Sequence, residues 1–275
     1  MDIAAEALWP RARIDADYTA RACTSEDDFT RIIADYARLS DPAKDLPGAT
    51  LDLPYDAGSS ETLNLFNAGE NRPVFLFIHG GYWRALSKEH SAFMAPMLAA
   101  KGMALAVPDY TLAPAANLTE ITRQMRAALA FLWRHATELG LDRRRIVVGG
   151  SSAGGHLAAA LAMPGWQGGF GLPEDAVHAA LPISGLFELA PLAASHVQDW
   201  MRFSEAEVQA PGTRRSVVAA AARETAGFHR QSLAYSKAIG APLLTVPGRN
   251  HFDVILDLAQ PDTTLSQALL GLLTA

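Results

Sequence analysis

A single cysteine, Cys23, stands in the 275-residue sequence. One thiol closes no internal disulfide and builds no cysteine metal cage, so Cys23 is read as a small filler residue. Positive charge is also short: 23 Lys and Arg face 29 Asp and Glu, a formal net charge of -6. Without a broad basic field the chain is not expected to hold phosphate backbones or anionic lipid, so neither nucleic acid nor a membrane is an expected partner. No stretch approaches the ~20 uncharged apolar residues of a membrane span, because the alanine-rich runs near Leu157 and Val217 are short and have polar flanks. The opening MDIAAEALWPRARIDAD is acidic and interrupted. It lacks the basic start and apolar centre of a secretory signal, and a cytoplasmic protein is expected. Internal repeats and low-complexity tracts are missing as well.

What the sequence does have is core: 49% of its residues are hydrophobic and 19% charged, a balance that buries a large interior and disfavours global disorder. The length suits one α/β domain over residues 1–275. Phe29, Ile32, Ile33, Tyr36 and Leu39 have helical spacing, closed by Ser40, Asp41 and Pro42. Thr50 to Pro54 and Glu61 to Phe66 alternate with period two about a turn at Asp56 to Ser59, which predicts an antiparallel hairpin at a sheet edge. Val74 to Ile78 is continuously apolar, as a strand buried on both faces must be. Further short apolar runs occur at Ala104 to Val107, Arg145 to Val148, Ala179 to Ile183, Val217 to Ala221 and Pro242 to Val246. Between most of them lie helical patterns at Lys88 to Ala100, Ile121 to Glu138, Ala153 to Ala162, His229 to Ile239 and Thr264 to Leu273. Strands alternating with helices predict a mostly parallel central sheet covered on both faces, with ligands at the carboxyl ends of the strands. Residues of about 186–215 break the alternation and are the candidate for a small cap insertion. The glycines between Gly165 and Gly171 form a connector, without the strand-before, helix-after setting of a dinucleotide site.

Gly150, Ser152 and Gly154 form G-x-S-x-G between a predicted strand and a predicted helix, the setting of a nucleophile elbow. The turn must be tight, glycines remove clashing Cβ atoms, and the helix start favours developing negative charge. A phosphate loop would need a lysine after Gly154, where Gly155 and His156 stand. His79, Gly80 and Gly81 follow the first buried strand, where backbone N–H groups of Gly80 and Gly81, completed by Ala153, make an oxyanion hole. His79 itself is read as structural. The base is expected on a loop after the last core strand, which selects His251 among eight histidines. His156 is expected in helix packing, and His90, His135, His178 and His196 on surfaces or in the core. Glu224, just after the penultimate run, is the candidate acid and preserves the chain order Ser, Glu, His. Its competitors are Asp253 and Asp257, too near His251 in sequence, and Glu205 and Glu207 in the cap region. Tyr82 and Trp83 offer an aromatic wall to a planar ring, with core packing as the alternative. No metal and no organic cofactor is expected.

HGGYW at His79 to Trp83, GSSAGGHLAA from Gly150, the stretch Glu224 to Ser232, and Asn250 to Asp253 together resemble the arylformamidase (kynurenine formamidase) branch of the α/β-hydrolase superfamily. Leu53 to Tyr55 and Pro108 to Pro114 extend the likeness over most of the chain. HGG with G-x-S-x-G marks the wider esterase and lipase group, whereas HGGYW with the segment Phe228 to Ser232 is more discriminating. Glu224 stands where the family more often has aspartate, Ser151 where histidine is frequent, and Arg84 where animal members commonly have glutamine. The resemblance implies an α/β-hydrolase fold and a serine hydrolase that removes an N-formyl group from an arylamine such as N-formylkynurenine, with aryl esters as further substrates. It leaves a homodimer open. The alternatives are a carboxylesterase of the hormone-sensitive-lipase type and an inactive small-molecule receptor on the same scaffold.

Overall fold

In a computed structural model, residues 2–203 and 215–274 are described. Residues 204–214 of the expected cap insertion, with Glu205 and Glu207, lie outside them. The chain begins with a short helix, α1 (Arg11–Asp17), and a longer one, α2 (Glu26–Ser40). Ser25 caps α2 by accepting from the Asp28 N–H at 3.1 Å, a bond worth about 1 kcal/mol to a helix start. Three acidic residues in the first turn complement the helix dipole, and Ile32 and Tyr36 are buried.

The hairpin follows as β1 (Thr50–Pro54) and β2 (Thr62–Phe66). Next come β3 (Arg72–Ile78), α3 (Ala95–Ala100), β4 (Ala104–Pro108), α4 (Leu118–Arg134), β5 (Leu141–Ser151) and α5 (Ala153–Ala162). The rest is β6 (Ala179–Ile183), the short helices α6 (Ala190–Ala193) and α7 (Gln198–Met201), β7 (Arg215–Ser216), β8 (Val218–Arg223), α8 (Ala226–Ile239), β9 (Leu243–Asn250) and α9 (Thr264–Thr274). The sheet runs β1-β2-β4-β3-β5-β6-β8-β9, with β7 paired to β6. Only the β1–β2 and β2–β4 pairs are antiparallel among the described strands.

Alternation along the strands splits the core into two layers. Val74, Leu76 and Ile78 of β3 join one apolar cluster with Ile121 and Met125 of α4 and Leu157 and Leu161 of α5. Phe75 and Phe77 point the other way, into a cluster with Ile32 of α2, Leu98 of α3 and Leu265 and Leu269 of α9. Helices on both faces leave the strand ends as the place for a site.

Three expected helices differ from the sequence reading, and the one expected from His229 begins at Ala226. Lys88 to Ala100 is broken into a 3-10 turn, Lys88–His90, and α3, because Pro96 lacks a backbone N–H and fits only in the first turn of a new helix. The helix expected from Ile121 to Glu138 starts a turn earlier and ends sooner. Asn117 caps it through the Glu120 N–H at 2.9 Å, and the chain turns at His135.

Candidate active site

β5 ends at Ser151, and the chain reverses into α5 through Ser152, whose backbone sits at φ 57° and ψ -116°. That strained corner persists because its surroundings leave no room for another. A Cβ on Gly154 would fall 2.0 Å from the Ile78 carbonyl oxygen, so α5 can rest directly on β3 only with glycine there. The Ser152 N–H donates to the Ile183 carbonyl at 2.9 Å, tying the corner to β6. Ala153, the first residue of α5, has an N–H without an acceptor inside the helix.

The loop after β3 lies beside this corner. Tyr110 stacks on the His79 ring, with centroids 4.2 Å apart, and its hydroxyl donates to the carbonyls of His79 and Gly80 at 3.2 Å. His79 is 2% exposed, and its Nδ1 lies 2.9 Å from the Gly80 oxygen. Burial pushes its pKa down to about 4, so it is neutral near pH 7 and holds the loop by hydrogen bonding. Gly81 adopts φ 93°, and a Cβ there would meet the Ala85 carbonyl oxygen at 2.2 Å. His156 is fully buried, its pKa lowered by burial to about 3, and its ring meets Trp83 edge-on at 5.3 Å.

His251 follows β9 on a loop that Asn250 organises. The Asn250 side-chain oxygen accepts from the N–H groups of Phe252 and Asp253, and Asp253 returns a bond to the Asn250 N–H at 2.6 Å. Asp253 is thereby occupied, and Asp257 pairs with Arg249. The imidazole is 3% exposed and packs on the Phe228 ring of α8 at 4.2 Å. Its Nδ1 lies 3.7 Å from Glu224 Oε1. Nδ1 is buried without a hydrogen bond among the described residues, and so is Glu224 Oε2, so both groups keep unmet hydrogen-bonding capacity.

Glu224 is held by two further donors, on the same oxygen that faces His251. Its Oε1 accepts from the Ser184 hydroxyl and from the Ala221 N–H at 2.9 Å. Burial alone would raise its pKa, but the imidazole, the hydroxyl and the amide together hold it below the usual value. Ser184 was not anticipated from sequence. A serine before Gly185 at a strand end looks like any turn, and only the strand order β6-β8 brings it to Glu224.

Ser152, His251, Gly80, Gly81 and Tyr82 share one cavity of about 480 Å³. Glu224 and Ala153 stand behind it. Trp83 corrects the expected aromatic wall: it is 0% exposed, inside the core against His156 and Phe203, and of the pair only Tyr82 faces the cavity. Successive positive φ angles at Tyr82 (51°) and Trp83 (58°) accompany these opposite placements. The opposing wall was also not anticipated. It comes from Ala20, Arg21, Phe29, Ile33 and Tyr36 near the start of the chain, and from His196 and Trp200 in the described part of the cap region. Apolar residues at helical spacing in α2 carry no mark separating a cavity wall from core. His196, expected on a surface or in the core, is held there by Asp15, which accepts from its backbone N–H at 2.6 Å.

The family model described as BD-FAE matches residues 65–179. The kynurenine formamidase of Salmo salar is 29% identical over 254 residues, covering 84% of each chain. That of Danio rerio is 25% identical over 252 residues, again 84% of each. A solved structure of a proposed thioesterase from Silicibacter sp. TM1040 superposes with a TM-score of 0.81 at 28% identity, covering 95% of this chain and 99% of that one. An esterase of Pyrobaculum calidifontis superposes at 0.70 with 17% identity, over 90% and 92% of the two chains, a likeness of fold. Strand order, elbow and relatives agree: the chain has the α/β-hydrolase fold, and its sequence is similar to those of kynurenine formamidases.

Proposed function

We propose that the chain hydrolyses an N-formyl arylamine or a short-chain aryl ester through an acyl-enzyme on Ser152. One observation carries the reading: a serine on a strained strand-to-helix corner opens into the same cavity as an imidazole whose far nitrogen faces a buried carboxylate at 3.7 Å. In this reading the Ser152 hydroxyl attacks the formyl or acyl carbonyl while His251 takes its proton. Glu224 accepts the Nδ1–H, fixes the tautomer and stabilises the imidazolium. The carbonyl oxygen becomes an oxyanion, held by N–H groups of Gly80, Gly81 and Ala153. The carbonyls of Gly80 and Gly81 accept from Tyr110 and from the Arg84 and Ala85 N–H groups, which supports a fixed loop. His251 then gives its proton to the departing amine or phenol. Water, deprotonated in turn by His251, releases formate or a short acid and restores Ser152. No cofactor enters these steps.

Formamide as the preferred bond is supported by the kynurenine formamidase relatives, and a planar leaving group by the rings of Tyr82, Phe29, Trp200 and Phe252 around the cavity. A serine-directed organophosphonate should add once, on Ser152, as read by intact mass, and fail to add to Ser152→Ala. No adduct would leave a non-catalytic receptor as the better account. Comparing kcat/KM on N-formylkynurenine and p-nitrophenyl acetate separates formamidase from carboxylesterase: a negligible amide rate removes the former.

A further inference from the structure

We propose that Arg84 makes the site select substrates whose aromatic ring carries an anionic group, a carboxylate above all; this rests on the hydrolase reading given above. Arg84 lines the cavity, with its guanidinium carbon 3.9 Å from the centroid of the Trp200 ring. Its backbone N–H donates to the Gly81 carbonyl at 3.0 Å, so it belongs to the same turn as the glycine N–H groups. Trp200 is fixed in its turn, its ring edge-on to Tyr82 at 6.1 Å and its Nε1–H donating to the Tyr82 carbonyl at 3.4 Å. Stacking uses the face of a guanidinium and leaves its edge, with the in-plane N–H donors, open to a carboxylate.

Charge bookkeeping in the wall singles Arg84 out. Arg21, the other arginine there, pairs with Glu26 and stacks on Phe29 at 3.6 Å, and His196 is bound to Asp15. Among the described residues no carboxylate lies within ion-pair distance of Arg84. Much of the remaining wall is apolar, including Phe29, Ile33, Leu86, Phe252 and Ile255. A flat ring would lie against those side chains with its carbonyl toward Gly81, and Arg84, three residues along the same turn, is the cation a ring substituent meets. The chain's net charge of -6 otherwise repels an anion, which makes a local cation with no carboxylate partner among the described residues the discriminating group.

Two substrates with the same acetyl group and the same ring test this, 4-acetoxybenzoate and its methyl ester. Arg84→Met keeps an apolar stem over Trp200 and removes the charge. The ratio of kcat/KM for the carboxylate over the methyl ester is expected to fall about tenfold in this variant, and Arg84→Lys to retain more of it. Raising ionic strength should lower the ratio in the wild type and leave it flat in Arg84→Met. Arg13, exposed and stacked over Trp9 outside the cavity, supplies the control: Arg13→Met should keep the wild-type ratio. An unchanged ratio in Arg84→Met, or an equal loss on both esters, overturns the role of Arg84 while hydrolysis stands. A wild-type protein that turns over neither ester and takes no phosphonate overturns both readings.

Discussion

At the scale of single residues, the arrangement asks most of Ser152, held in a backbone region that costs a non-glycine residue on the order of 1–3 kcal/mol. Ser152→Ala should lower kcat by about 10⁶ and Glu224→Ala by less, about 10⁴, read in steady-state turnover with unchanged circular dichroism. Glu224 is held ionised by His251, Ser184 and Ala221 against the opposing pull of burial. Glu224→Gln, which removes that charge beside His251, should therefore lower kcat/KM in the same assay. Gly81→Ala would force a Cβ against Ala85 and rotate the loop's N–H groups, a loss of roughly 10² to 10³ in kcat. That Ser152, His251 and Glu224 come together was legible in sequence, because the expected chemistry ties residue type to chain order. Ser184 and His196 were not, since a hydroxyl after a strand and an imidazole in a connector acquire meaning only from what folds opposite them.

At the scale of elements, the corner between β5 and α5 rests on two buried neutral imidazoles, His79 under the glycine loop and His156 one turn into the helix. Burial lowers their pKa values to about 4 and about 3, below the 6.5 of the free side chain. Between those values the unfolded chain binds protons that the folded chain refuses. Their contribution to stability is therefore full above about pH 6.5 and is lost as pH falls toward about 4 for His79 and about 3 for His156. Melting temperature should drop through that window, and more shallowly in His156→Gln; identical slopes would remove the histidines from the account. The elements themselves were largely legible. Continuous apolar runs gave β3, β4 and β6, and glycine with alanine gave α5 to the residue. The break at Pro96 and the Asn117 cap escaped because periodicity continues across a helix boundary while backbone hydrogen bonding does not.

At the scale of the whole molecule, the first forty residues are bound to the far end of the chain. Arg230 of α8 pairs with Glu6 and with Asp17 at 2.6 Å, the Tyr18 hydroxyl donates to Glu6, and the Tyr82 hydroxyl donates to the Tyr18 carbonyl. Tyr36 of α2 likewise donates to the Phe252 carbonyl beside His251. Arg230→Met would leave the buried Glu6 carboxylate without its cation, costing about 3 kcal/mol. Calorimetry should show the lower melting temperature, and KM should rise more than kcat falls, since Thr19 to Arg21 shape the wall rather than the chemistry. Sequence could not show this union, because the partners lie more than two hundred positions apart. One part of the cavity wall, between Thr19 and Tyr36, thus comes from a stretch of the gene well removed from Ser152 and His251. A library randomised at codons 20, 21, 29 and 33, with Tyr36 kept to hold the loop of His251, could retune which compounds are accepted, a natural route for one scaffold to acquire new diets.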